Sequence, residues 1–221
     1  MAGLFSCHKA FFGKPKSGKS TLGGWIWMHE EIGPRIWWDP NEDFVVPAGA
    51  VLANPESDGK AFRRALEQER PIVWRTGPLT DARTERQVAL LHHLACEYGA
   101  TEYYDEAHIV YPQSRPNRHL QDGFMRGRHF GPEIRPDEHA GITIGLLTPA
   151  PQKVDKSCIQ VGTEVNLFAL SFSGPWLKEY GIPPEAMTLV NQAGPHAFVR
   201  VVDEQVSGPF RLDKARGVVK L

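Results

Sequence analysis

Gly13-Lys14-Pro15-Lys16-Ser17-Gly18-Lys19-Ser20-Thr21 fills every fixed position of the phosphate-binding pattern G-x-x-x-x-G-K-[ST]. Gly13 and Gly18 let the backbone turn tightly enough for successive N–H groups to face one anion. Lys19 is placed to reach the β- and γ-phosphates of a nucleotide, and the Ser20 hydroxyl to ligate Mg²⁺. Lys9-Ala10-Phe11-Phe12 reads as a short strand ahead of the loop, and residues 20–31 continue as a helix. The loop thus ends at a helix N-terminus, where unpaired N–H groups and the macrodipole favour negative charge. Strand, loop and helix in that order imply an α/β fold that binds ATP with Mg²⁺, and all nine loop residues are candidate contacts.

The second half of such a site is expected in Thr101-Glu102-Tyr103-Tyr104-Asp105-Glu106-Ala107-His108, a β-prone stretch ending in adjacent carboxylates. Side chains alternate along a strand, so the two acids should face different ways and do different jobs. Asp105 would hold the Mg²⁺ shell. Glu106 would polarise an attacking water as general base. A nucleotide kinase needs no second acid, so the pair favours hydrolysis.

Composition sets bounds rather than a function. The 221 residues suit one α/β domain with a substantial core. A formal net charge of −1 gives no global pull towards nucleic acid, so such a contact needs a local patch. Three scattered cysteines, Cys7, Cys96 and Cys158, fit a reducing compartment without a disulfide frame. The adjacent pair His92-His93 cannot share one helix face, which argues against a metal site there. No apolar run approaches the ~18 residues of a membrane span, and no signal-peptide core is seen, so a soluble, intracellular protein is expected.

Along the chain, strands alternate with helices, the pattern of a largely parallel sheet covered on both faces. Strands are expected at residues 35–39, 51–53, 71–75, 101–105, 141–147 and 166–172. Ser57 or Asp58 should cap one helix running to about Glu69, and Thr80 or Asp81 a longer one through Tyr98 that Gly99 ends. Residues 196–202 and 208–212 read as an antiparallel hairpin appended to the sheet. The long interval between the loop strand and the acidic strand, with at least one extra strand in it, is unlike a simple kinase. It suits the ASCE arrangement, in which another strand lies between the two and Glu106 is the catalytic acid.

In this order the parts resemble the FtsK–HerA ATPases, and within them the genome-packaging ATPases of tailless, membrane-containing icosahedral viruses. The resemblance rests on the loop, the strand ending Trp38-Asp39-Pro40, the Tyr-Tyr-Asp-Glu-Ala-His motif, and Arg126-Gly127-Arg128-His129 ahead of strand 142–147 and Thr148. It covers about residues 9–172, leaving about 173–221 as a C-terminal appendage. It implies a single RecA-like (ASCE) P-loop ATPase domain with a mostly parallel sheet flanked by helices. It also implies a homo-oligomeric ring that moves double-stranded DNA, independent of sequence, into a preformed capsid. A capsid or portal-vertex protein would be its partner, and the host cytoplasm or the virion vertex its place. Phage-assembly ATPases of the zonula-occludens-toxin type are the alternative motor; a P-loop small-molecule kinase or a GTPase switch is an alternative of another class. A GTPase would carry an Asn-Lys-x-Asp motif, and a kinase an arginine-rich lid; neither is visible.

One position departs from the family. Its sensor strand usually ends in Thr-Gln, but here Pro149 follows Thr148 and the next glutamine is Gln152. Thr148 alone senses the γ-phosphate, or Gln152 does after a local shift, or the element is lost. Residues 114–131 hold Arg115, Arg118, Arg126 and Arg128 against one acid, Asp122. In ring-forming relatives this region approaches the next subunit's nucleotide, so Arg128 or Arg126 would act in trans on the transferring phosphoryl group. Arg115 and Arg118 read equally well as a solvated helix face. Trp25, Trp27, Trp37 and Trp38 could stack on bases, although packing is the commoner use of clustered aromatics.

Overall fold

A computed structural model describes residues 8–31, 33–126, 142–159, 163–171, 175–213 and 215–221. Strand β1 (Lys9–Phe12) leads into helix α1 (Lys19–His29), followed by β2 (Arg35–Asp39), β3 (Val51–Leu52), α2 (Gly59–Glu67) and β4 (Pro71–Arg75). Then come α3 (Asp81–Tyr98), β5 (Thr101–Tyr104), α4 (Ala107–Val110), α5 (Arg118–Arg126), β6 (Ile144–Thr148) and β7 (Glu164–Phe168). Helices α6 (Trp176–Glu179) and α7 (Pro184–Gln192) precede β8 (Ala197–Val202), β9 (Gln205–Asp213) and β10 (Gly217–Lys220).

The strands form one ten-stranded sheet in the order β10-β9-β8-β7-β1-β6-β5-β2-β4-β3. From β7 to β3 every pairing is parallel, and β8, β9 and β10 extend it antiparallel. Strand β6 lies between β1 and β5, the insertion expected of the ASCE arrangement. Register brings the carboxyl ends of these strands to one edge: Phe12 pairs with Thr148, Tyr104 with Leu146, and Trp38 with Tyr104.

Both faces of the sheet are buried, and the strand period assigns neighbours to opposite cores. Phe11, Trp37, Val73, Tyr103, Leu147, Phe168 and Phe198 pack under α1 with Leu22, Ile26, Trp27 and Phe44. Phe12, Trp38, Trp74, Tyr104, Leu146 and Leu167 face the other core, which α2, α3, α5 and α7 close. Trp27, Trp37 and Trp38 are fully buried, so these rings fill the core and offer no face to a base. Trp37 stacks on Phe44 with ring centroids 4.0 Å apart. Such a side chain contributes about 1.5–3 kcal/mol by burial.

The expected caps are present. Asp58 accepts from the Ala61 amide and Thr80 from the Arg83 amide, while Gly99 ends α3 in the left-handed region at φ 60°. Arg35 does the same for α1 from outside the helix: its guanidinium donates to the carbonyls of Trp27, Met28 and Glu31.

Three expectations need correction. The sixth strand spans Ile144–Thr148, not 141–147, and the seventh spans Glu164–Phe168, not 166–172. Past Phe168 the Ala169 carbonyl accepts from the Lys14 amide of the loop. The C-terminal hairpin has a third strand, β10, and is continuous with the main sheet through β7. Among the described residues no helix is long and apolar enough to cross a membrane.

One buried polar contact ties α3 to β5. His92 Nδ1 lies 2.7 Å from Glu102 Oε1, and the Tyr104 hydroxyl donates to Glu102 Oε2 at 2.9 Å. Burial pulls His92 towards its neutral form, but the Glu102 carboxylate outweighs it and raises the imidazole to about 10. A raised histidine stabilises the fold fully below its unfolded pKa near 6.5, and that stability drains as pH climbs through the folded value. The melting temperature should therefore fall between pH 7 and 10, with a flatter slope in His92→Gln. Equal slopes in the two proteins would show that His92 is not charged in the fold.

Candidate nucleotide site

The loop residues 13–18 stand at the carboxyl end of β1. Gly13 is forced by packing: a Cβ there would come within 2.6 Å of Phe168 Cβ and of Ser17 Oγ. Gly18 takes φ 105°, a conformation that only glycine adopts freely. As N-cap it supplies no side chain to α1, so the first-turn amides of that helix face outward uncapped. The loop is tied to its surroundings by backbone bonds, Gly13 N to Thr148 O at 3.4 Å and Lys14 N to Ala169 O at 2.9 Å.

Two groups inside this cradle want an anion. Ser17 Oγ is buried and, among the described residues, has no hydrogen-bond partner. Lys19 is 7% exposed and its ammonium donates to the Lys14 carbonyl at 3.1 Å. Burial lowers the Lys19 pKa, while the charges of Asp105 and Glu106 oppose the shift. A polyphosphate would meet both groups and the helix amides together, so the loop fits ATP.

Asp105 and Glu106 lie just past β5 at the same edge. Ser20 Oγ donates to Asp105 Oδ2 at 3.2 Å, which brings two hard oxygen ligands together, as Mg²⁺ requires. Asp105 is buried and accepts from the Glu106 amide at 3.0 Å. Burial raises its carboxyl to about 6 against that hydrogen bond. The two acids diverge for a different reason than strand alternation. The strand ends at Tyr104, and Glu106 sits in the left-handed region at φ 53° and ψ 46°, where it opens α4. That turn keeps Asp105 against Ser20 and sends the Glu106 carboxylate towards Asn41 and His108.

Two residues without an assigned role face that carboxylate. Asn41, just beyond β2, donates from Nδ2 to Glu106 Oε1 at 3.4 Å. His108 Nδ1 lies 3.3 Å from Glu106 Oε2. Asn41 follows Trp38-Asp39-Pro40 and His108 ends the acidic motif; the pairing of Trp38 with Tyr104 brings the two together. Thr148 is fully buried at the end of β6, and Gln152 lines a cleft with His108 and Lys153. Both sensor candidates thus lie beside His108. Arg118 opens α5, and Arg115 is exposed, 3.9 Å from Glu85. Arg128 and the side chain of Arg126 lie outside the described residues.

No family model matches the chain, and no curated protein matches it. Solved structures do. The genome packaging NTPase B204 from Sulfolobus turreted icosahedral virus 2, in complex with ATP-gammaS, aligns over 91% of this chain and 95% of its own, with TM-score 0.65 at 17% identity. Its sulfate complex aligns over 95% and 98%, with TM-score 0.66 at 17% identity. B204, the DNA-packaging ATPase from Sulfolobus turreted icosahedral virus, aligns over 91% and 96%, with TM-score 0.59 at 15% identity. At these identities the likeness establishes a shared P-loop NTPase fold.

Proposed function

We propose that this chain is an ATPase of the FtsK–HerA type that drives double-stranded DNA into a preformed viral capsid. The observation that carries the ATPase reading is the convergence of Lys19, Ser20, Asp105 and Glu106 at the carboxyl ends of β1 and β5. Gly13 to Thr21 would bind the triphosphate, and Ser20 with Asp105 would hold Mg²⁺, which supplies Lewis-acid stabilisation of the phosphoryl oxygens. Glu106 would take the proton of an attacking water. The DNA reading is supported by likeness to packaging NTPases over nearly the whole chain and by exposed Arg115 and Arg118, which line a cleft with Ile109 and Val110 of α4. Contacts from such arginines would be sequence-independent and salt-sensitive. A homo-oligomeric ring, acting in the host cytoplasm or at the virion vertex against a capsid or portal protein, completes the proposal. Arg126 or Arg128 would then reach the adjoining subunit's nucleotide.

ATP hydrolysis measured with and without duplex DNA of mixed sequence tests this reading. Stimulation by DNA that fades as salt rises is the expected result. Indifference to DNA, with phosphate appearing on a small acceptor, would make the protein a kinase.

A further inference from the structure

We propose that His108 is a positioning residue that fixes the Glu106 carboxylate and ties it to the end of β6 through Thr148. The inference rests on the ATPase reading above. Each oxygen of Glu106 has a neighbour: Asn41 Nδ2 donates to Oε1 at 3.4 Å, and His108 Nδ1 lies 3.3 Å from Oε2, an ion pair when the imidazole is charged. The same imidazole nitrogen lies 3.3 Å from Thr148 Oγ1. That nitrogen carries either a hydrogen or a lone pair, never both. With a hydrogen it turns positive charge towards the Glu106 carboxylate and orients it. With a lone pair it accepts from the Thr148 hydroxyl and presents that lone pair to the carboxylate, which repels it.

Thr148 is where the phosphate loop enters this exchange. Its hydroxyl oxygen accepts from the Ala150 amide at 3.0 Å, and its carbonyl accepts from the Gly13 amide at 3.4 Å. A loop that shifts around its nucleotide moves Gly13, hence Thr148, hence the hydrogen-bond choice of His108. The position of the general base is thereby coupled to the filling of the loop, through contacts no longer than 3.4 Å at any step. Gln152, whose place in the chain suggested a sensor, has no part in this relay; Thr148 does.

The test compares His108→Leu, His108→Asn, Thr148→Val and the double variant His108→Leu/Thr148→Val in steady-state ATP hydrolysis, with Glu106→Gln as control. His108→Leu should lower kcat about ten- to a hundredfold, the scale of a misplaced catalytic group, with KM unchanged within about twofold. His108→Asn keeps a polar amide near the Nδ1 position and should recover most of that loss. Thr148→Val should lower kcat as well, and the double variant should be no worse than His108→Leu alone, because coupled residues are not additive. Parental kcat in His108→Leu overturns the inference, as does a loss in His108→Asn equal to that in His108→Leu. Should His108→Leu fail to fold, His108→Ala takes its place: a kcat lowered there and recovered in His108→Asn supports the relay, and parental kcat in His108→Ala overturns it. A parent that hydrolyses ATP, is silenced by Glu106→Gln and ignores His108→Leu leaves the ATPase reading standing and removes this one. A parent without ATP hydrolysis removes both.

Discussion

Lys19→Ala is expected to lose ATP turnover on the order of 10³-fold, the scale of deleting one preorganised charge from a reacting centre. The ammonium is buried, its described hydrogen bond goes to a loop carbonyl, and no other lysine of the loop is buried with it. Lys14 and Lys16 are exposed and cannot take its place. Stability is the discriminating control. A cation whose pKa burial lowers contributes no stability by being charged there. The nucleotide-free variant should therefore melt at or above the parental temperature while failing to turn over ATP. Parental turnover would mean that the loop is not where the phosphates bind.

Glu106→Gln should separate binding from chemistry. Lys19, Ser20, Asp105 and the loop amides remain, so the variant should bind Mg·ATP as the parent does. Turnover should fall on the order of 10²-fold or more, the scale of losing a general base. The structure narrows what a contrary result would mean. Glu102 is committed to His92 and Tyr104, and Asp39 is fully buried, with Oδ2 accepting from the Phe44 amide and lying 3.7 Å from Arg75. Neither acid can replace Glu106, so unchanged turnover would contradict the base assignment rather than relocate it. Equilibrium binding of a fluorescent ATP analogue beside single-turnover hydrolysis reads both halves of the prediction.

What the sequence disclosed and what it withheld follow from how local each feature is. The loop, its strand and its helix are contiguous, and their chemistry is set by residue type, so residues 9–29 were legible. The caps Asp58, Thr80 and Gly99 are likewise local, and each falls where a side chain or a left-handed residue must end a helix. Strand β10 was not legible: its four residues, Gly-Val-Val-Lys, show no alternation and pair only with β9. Strand β9 carries Gly208-Pro209 in its middle, and its register with β8 shifts between Phe198 and Arg200. Both features blur the period of two.

The site shows the same division. Asp105 and Glu106 could be found, but the reason they part could not, because a glutamate at φ 53° follows from tertiary context and not from propensity. His108 was in view as the last residue of the acidic motif, while Asn41 stood one residue past Trp38-Asp39-Pro40 and was not singled out. Their roles needed the sheet order, since Asn41 is brought to Glu106 by β2–β5 pairing and Thr148 to His108 by the insertion of β6.

Movement of DNA is the claim that a strand-displacement experiment meets most directly. A labelled third strand bound on duplex DNA is shed when a motor passes beneath it. With parental protein, Mg²⁺ and ATP, the third strand should be released from duplexes of unrelated sequence, and Glu106→Gln should bind the same DNA without releasing it. ATP hydrolysis at full rate on bound duplex, with the third strand left in place, would contradict the account.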